Sequence, residues 1–317
     1  MWRHLGCALL LIVHFCCRLG LVVVESGINL WRVSLVPAAH PYRSVLYIPG
    51  SNSRALEKAR TLPVDAIIFD LEDAVSPSEK DDARAVLSRQ LADADYGPRR
   101  RIVRINGFDT PWGEDDLAML ISTPHDAVLL PKVERPEMIA KLRSALGQDA
   151  KIWAMMETPT GILAAPELAR QPGMEGFVMG TNDLAKELGS RSRTAMIASL
   201  QHCLLAARSA GLICVDGVYN AFKDEDGLRA EAMEGRDFGF DGKSLIHPAQ
   251  VAIANAVFGP SSDELDLARR QIEAFEAAAS QGQGVAVVDG KIVENLHIET
   301  AHALLSKAAV IEKLEAT

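Results

Sequence analysis

The chain has 317 residues, of which 48% are hydrophobic, 24% charged and only 5% aromatic, and its formal net charge is −9. This length suits one barrel-sized domain with additions, and the even spread of glycine and proline excludes a disordered or fibrous class. The acidic balance excludes the basic footprint that a phosphate backbone demands, so nucleic acid is not an expected partner.

Residues 1–40 form an N-terminal extension of different character. Apolar runs at 5–13 and 21–24 are broken by His14, Arg18 and Gly20, with Arg3 and His4 ahead of them. A signal peptide is one reading, but Cys16-Cys17-Arg18 stands where a small-residue cleavage site belongs. No run reaches the roughly 18 apolar residues that cross a bilayer, so no membrane role is expected and the cytoplasm is the expected compartment. A loosely packed extension, or a start codon set too far upstream, is favoured. Cys7, Cys16 and Cys17 crowd this segment, while Cys203 and Cys214 sit in apolar runs, and neither a disulfide framework nor zinc spacing follows.

From residue 41 to 258 short β-branched apolar runs alternate with amphipathic helical stretches, the pattern of parallel βα units. The strands are expected at 44–49, 66–71, 101–106, 127–133, 151–157, 176–182, 211–218 and 240–246. Their spacing of roughly 22 to 35 residues fits a strand, a helix and two short loops. Eight such units predict an α/β fold of the (β/α)8 TIM-barrel type, whose chemistry sits at the strand C-terminal ends. Polar residues fall there: Asp70-Leu71-Glu72-Asp73, Arg104-Ile105-Asn106, Pro131-Lys132, Glu157-Thr158, Thr181-Asn182-Asp183 and Ile246-His247-Pro248. A doubly wound open sheet is the main rival, but no GxGxxG and no P-loop follows any strand. Residues 259–317 are expected to form a C-terminal helical arm or lid, with helices at 262–280 and 296–315 joined through a turn near Gly284 to Gly290. Ser261 with Asp263 and Glu264 marks the start of the first.

Glu157 and Asp183 end adjacent strands, and two carboxylates so placed make an oxygen-ligand site with open positions, as Mg²⁺ prefers. The plainer alternative has Asp183 capping a helix that begins at Leu184 and Glu157 salting a loop. Arg104 can grip a carboxylate or stabilise an enolate oxygen. Glu72 and Asp73 add an acidic pair that asks for a nearby cation, unless they only cap a helix. His247 is either a site residue or a hydrogen-bonded turn residue. Arg99, Arg100 and Arg101 precede their strand and are expected on the opposite rim. No GxSxG elbow supports a nucleophilic serine.

These strand ends, read as Arg43-Ser-Val-Leu-Tyr-Ile-Pro-Gly-Ser-Asn, Asp70-Leu-Glu-Asp-Ala-Val, Arg104-Ile-Asn, Leu130-Pro-Lys-Val-Glu, Glu157-Thr-Pro-Thr-Gly, Gly180-Thr-Asn-Asp-Leu and Gly242-Lys-Ser-Leu-Ile-His-Pro-Ala-Gln, resemble the citrate lyase β-subunit-like family. That family includes malyl-CoA, β-methylmalyl-CoA and citramalyl-CoA lyases, within the HpcH/HpaI aldolase/citrate lyase superfamily. The resemblance implies that Glu157 and Asp183 bind Mg²⁺, with Mn²⁺ a possible substitute, and that Arg104 meets the oxo-acid part of the substrate. It further implies that Glu72 and Asp73 stand around the metal's waters, and that trimers or hexamers form in which one subunit's arm closes over its neighbour. Coenzyme A enters as part of the substrate, and Arg54 and Lys58 after strand one are candidates for its phosphates, with a solvated helix face as the alternative. Lyases of this kind commonly carry Asp in a Gly-Lys-Met-Ile-Asp lid, whereas this chain reads Gly290-Lys291-Ile292-Val293-Glu294. Glu294 is therefore the expected proton-transfer group. Related aldolases acting without CoA usually place Glu-His after strand two, where Glu72-Asp73 stands here.

The implied activity is Mg²⁺-dependent cleavage or formation of a 3-hydroxyacyl-CoA, yielding an acyl-CoA and a small 2-oxo acid. The alternatives are a citrate lyase β-subunit acting on a carrier-bound thioester, a malyl-CoA thioesterase, and a catalytically weak assembly or regulatory subunit.

Overall fold

The computed structural model describes residues 40–316. The apolar N-terminal stretch, with Cys7, Cys16 and Cys17, lies outside the described residues. No helix among the described residues is long and apolar enough to cross a membrane.

Eight parallel strands close on themselves in chain order: β1 (Ser44–Pro49), β2 (Ala66–Asp70), β3 (Arg100–Arg104), β4 (Ala127–Leu130), β5 (Ile152–Met156), β6 (Met174–Met179), β7 (Ile213–Asp216) and β8 (Gly242–Leu245). β8 pairs back onto β1 through Ser44 and Lys243, which closes the barrel. The connecting helices are α1 (Ser53–Ala59), α2 (Lys80–Asp93), α3 (Gly113–Leu120), α4 (Pro136–Leu146), α5 (Pro159–Leu168), α6 (Thr181–Leu188), α7 (Ile197–Ala210), α8 (Glu225–Phe238) and α9 (Val251–Phe258). Local chemistry sets several of their ends. Pro136 begins α4 in its first turn, where no N–H is missed, and Gly147 ends it at φ 100°, a conformation that favours glycine.

Strand residues alternate between two cores. Val45, Ala66, Ile68, Ile102, Leu129, Trp153, Met155, Val178 and Val215 fill the barrel interior. Ile67, Phe69, Val103, Val128, Ala154 and Phe177 face outward to the helix layer. With a period of two, this alternation carries Asp70 inward above Ile68, Arg104 above Ile102 and Glu157 above Met155. Pairing also sets Asp70 directly beside Arg104.

The N-terminal end of the barrel is plugged. Trp153 packs on Tyr42 with ring centroids 5.0 Å apart, and its indole N–H donates to Glu175 Oε2 at 2.8 Å. A side chain at Gly176 would come within 2.8 Å of that indole, so the glycine makes the room. Arg100 pairs with Glu175 at 3.0 Å and Arg101 with Asp126 at 3.2 Å on this same rim. The open end is the other one, where the strands terminate.

Several strands stop earlier than the sequence spacing predicts. β4 ends at Leu130 rather than 133 because Lys132 takes a left-handed backbone at φ 48°. β6 ends at Met179 rather than 182, since α6 already starts at Thr181; Asp183 therefore lies in the first turn of that helix and is not the cap of one beginning at Leu184.

After α9 come α10 (Ser262–Ser280), a hairpin of β9 (Ala286–Val288) and β10 (Lys291–Val293), and α11 (Asn295–Glu315). Ser261 and Glu264 form a reciprocal capping box at the head of α10. Asp289 at φ 50° and Gly290 at φ 75° make the tight turn of the hairpin, a pairing of positive angles suited to a right-twisted ribbon. The distal half of α11 is fastened to the barrel domain: Lys307 Nζ donates to Phe258 O at 3.0 Å, and Glu315 pairs with buried Arg43 at 3.0 Å.

Candidate active site

Arg104 sits at the centre of the barrel mouth, 6% exposed. Its Nε and Nη2 donate to the two oxygens of Asp70 at 2.7 and 2.6 Å, a bidentate pair of the strong, direction-fixing kind. Nη1 lies 2.9 Å from Glu72 Oε2 and 3.5 Å from Asp73 Oδ2. The guanidinium lies over the Tyr47 ring, 4.9 Å from its centroid, and the Tyr47 hydroxyl donates to Met155 Sδ at 3.3 Å. Burial alone would lower the Arg104 pKa, yet Asp70, Tyr47 and Glu72 hold it well above its ordinary value. Arg104 is thus a fixed, permanent charge whose Nη1 edge turns toward the acidic pocket.

The loop bearing Glu72 is tied down from beneath. Buried Lys80 donates to Leu71 O at 2.7 Å, Glu72 O at 2.7 Å and Asn106 Oδ1 at 2.8 Å. Asn106 in turn donates to Leu71 O and to buried Asp116. The ends of β2 and β3 are locked together by this set, and Glu72 is left 9% exposed. Its Oε2 is within ion-pair range of Arg104 but off hydrogen-bond geometry, so it is a buried oxygen with no hydrogen-bond donor. Burial, reinforced by Asp73 and Asp70 and opposed by Arg104 and Lys132, pushes the Glu72 pKa up to about 7.

Glu157 follows β5, 2% exposed, and its Oε1 accepts the backbone N–H of Lys132 at 2.8 Å. Thr158 caps α5 through an N–H bond from Gly161 at 3.1 Å, which sets the chain direction just after Glu157. Gly180 is required beside it: a Cβ there would fall 2.4 Å from Glu157 Cβ and 2.6 Å from its Oε2. Burial and the neighbouring Glu72 charge raise the Glu157 pKa to about 7, against the Lys132 N–H and Arg104. Asp183, one-third exposed in the first turn of α6, faces the same pocket. Lys132 Nζ lies between the acids, 3.5 Å from Glu72 Oε1 and 3.9 Å from Asp183 Oδ2.

Arg104, Glu72, Asp73, Glu157 and Asp183 are therefore gathered around one mouth. Among the described residues, no group of three or more acid, His or Cys side chains is close enough to form a complete metal cage. The pocket nevertheless fits a hard cation. Its donors are all carboxylate oxygens, one of them is buried without a donor, and Mg²⁺ commonly takes one or two protein carboxylates and keeps several waters. Arg54 and Lys58 are exposed, one helical turn apart on α1 at the mouth end of β1. Glu294 precedes α11, where its backbone N–H donates to His297 Nδ1 at 3.0 Å in a capping box, so among the described residues its hydrogen bonds tie it to the arm. His247 is a turn residue: its Nδ1 accepts from Ala249 N at 3.2 Å, and its ring stacks on Phe222.

Sequence reasoning missed Asp70, Lys80, Lys132 and Tyr47 as site-builders. The alternation that puts Ile68 inward was signal enough for Asp70. Lys132 stood in view at a strand end, but its left-handed turn was not legible. Nothing local marks Lys80.

The sequence profile of the HpcH/HpaI aldolase/citrate lyase family matches residues 43–248, the whole barrel including these residues. The chain belongs to that family. It is 62% identical over 282 residues to a (3S)-malyl-CoA thioesterase of Cereibacter sphaeroides, covering 88% of this chain and 99% of that protein. It is 36% identical over 280 residues to the citrate lyase subunit beta of Escherichia coli K12, covering 84% and 93%. Among solved structures, CitE from Mycobacterium tuberculosis in complex with magnesium, acetoacetate and coenzyme A superposes with a TM-score of 0.72 at 29% identity, covering 86% of this chain and all of that one. The (β/α)8 fold and the family expected from the strand-end residues are thus both found, and this family's proteins cleave carbon–carbon bonds or act on CoA esters.

Proposed function

We propose that this protein is a Mg²⁺-dependent enzyme acting on malyl-type CoA thioesters, and that its net reaction is hydrolysis of (3S)-malyl-CoA to malate and free coenzyme A. The observation that carries this reading is the 62% identity to a (3S)-malyl-CoA thioesterase, sustained over 99% of that relative. Glu157 and Asp183 would hold the ion, which when bound supplies Lewis-acid polarisation and neutralises the carboxylate end of the substrate. Arg104, immobilised by Asp70, offers Nη1 to a substrate oxygen that gains negative charge. Glu72, whose pKa burial raises to about 7, would accept a proton from water. That water adds to the thioester carbon, the C–S bond breaks, and the departing sulfur takes from Glu72 the proton that water gave it, which leaves the free thiol and restores the carboxylate. Glu294 from a neighbouring subunit is a second candidate for this proton work, since a glutamate there reaches further than the lid aspartate common in lyases. Arg54 and Lys58 would meet the phosphates of coenzyme A at the mouth.

The second reading is carbon–carbon cleavage, favoured by the likeness to citrate lyase β-subunits. There the substrate hydroxyl loses its proton, the C–C bond breaks, and the acetyl-CoA enolate is reprotonated as glyoxylate is released. One incubation separates the two: (3S)-malyl-CoA with Mg²⁺, followed by titration of free thiol and mass identification of products. Hydrolysis yields thiol and malate in equal amounts without glyoxylate. Glyoxylate and acetyl-CoA without free thiol would overturn it in favour of the lyase.

A further inference from the structure

We propose that Lys132 is the pocket's resident cation, whose ammonium draws the Glu72 and Asp183 carboxylates together in the metal-free protein and is displaced when the divalent ion enters. The inference rests on the reading that Glu157 and Asp183 hold Mg²⁺.

Lys132 is held in place by its backbone. It adopts φ 48° between β4 and α4, a left-handed conformation that non-glycine residues keep only where the surroundings enforce it. Its N–H is engaged by Glu157 Oε1 at 2.8 Å. The adjoining turn is pressed against the start of α5, where a Cβ at Gly161 would meet Val133 O at 2.4 Å. The side chain is thereby launched into the mouth, with Glu72, Glu157, Asp183 and Asp73 the acids that act on it.

The ammonium is held loosely. At 3.5 and 3.9 Å its two acidic contacts exceed the roughly 2.7–2.9 Å of a charge-assisted hydrogen bond, and its side chain is 46% exposed. Lysine is a point charge on a flexible stem, unlike the forked and buried Arg104 nearby. A cation attracted by several acids, bound rigidly to none and open to solvent, can leave without breaking a packed core. Asp183 would be common to both cations, and an ammonium and a dication drawn to one carboxylate repel each other.

The test compares wild type with Lys132→Met, Lys132→Gly and Lys132→Arg, all stripped of metal at pH 8. Glycine accepts the left-handed backbone without strain, so a folding defect specific to methionine is recognised. Calorimetric titration with MgCl2 alone is expected to show Met and Gly variants binding about threefold or more tightly than wild type, with Arg close to wild type. The rise in thermal midpoint on adding Mg²⁺ is expected to be larger in the Met variant than in wild type, because its metal-free carboxylates lack a counter-charge. Unchanged or weaker Mg²⁺ binding in both neutral variants would overturn the proposal. A wild type that binds no Mg²⁺ would overturn it together with the metal assignment. Failure of malyl-CoA turnover, with the Mg²⁺ contrast intact, would count against the proposed function alone.

Discussion

Glu157 and Gly180 show how narrow the tolerances of the mouth are. A methyl group at Gly180 has no space unless the Glu157 side chain moves, so Gly180→Ala is expected to lower Mg²⁺ affinity by about tenfold or more while the barrel still folds. Calorimetry checks the affinity, and an unchanged far-ultraviolet circular dichroism spectrum checks the fold. The protonation of Glu157 gives a second prediction. Its folded pKa, about 7, exceeds the ordinary 4.5, so the neutral carboxyl stabilises the fold below about 4.5 and that contribution is lost as pH rises through 7. Glu157→Gln keeps an acceptor for the Lys132 N–H and has no charge to bury. In chelator, the variant is therefore expected to match wild type at pH 5 and to melt higher at pH 8, whereas Mg²⁺ raises the midpoint of wild type only. Parallel melting curves across that range would contradict the assignment.

At the scale of elements, the barrel was legible from the sequence because short apolar runs recur at βα spacing and most mouth residues are polar groups at the ends of those runs. What stayed hidden was the chemistry of the connections. The left-handed turn at Lys132 shortens β4, and the early start of α6 shifts Asp183 from a strand end into a helical turn. Both depend on contacts between neighbouring units that no single βα repeat encodes. The same holds for Lys80, which ties together the ends of β2 and β3 from a helix that reads as an ordinary amphipathic one. Replacing it with methionine leaves Leu71 O and Glu72 O without this donor. Lys80→Met is expected to cost about 3 kcal/mol of unfolding free energy in urea melts. It should also reduce kcat, as the Glu72 loop loses its anchor. A variant with full stability and activity would show that this buried ammonium is dispensable.

For the whole molecule, the arm poses the main question. Glu294, expected from the sequence to carry the proton, is bonded to His297 within the arm, and the far part of α11 is fastened at Phe258 and Arg43. If the lid acts across subunits, Glu294→Gln and Asp183→Asn are each inactive as pure oligomers, and mixed oligomers regain part of the activity, since some mouths then pair an intact metal site with an intact lid. Mixing after gentle dissociation and reassociation checks this; no recovery despite verified exchange would place the lid on its own chain or remove it from catalysis. The resemblance drawn from strand ends proved sufficient for fold and family. The choice between hydrolysis and carbon–carbon cleavage was not legible there, because it turns on how a water and a thioester are placed above an otherwise shared set of residues.

Divalent-metal binding by Glu157 and Asp183, as proposed, is measured directly by calorimetric titration of Mg²⁺ at pH 8 into metal-stripped wild type, Glu157→Gln and Asp183→Asn. One saturable site per chain is expected in wild type, with a loss of affinity of about tenfold or more in each variant. Equal Mg²⁺ affinity in all three proteins would contradict the metal assignment.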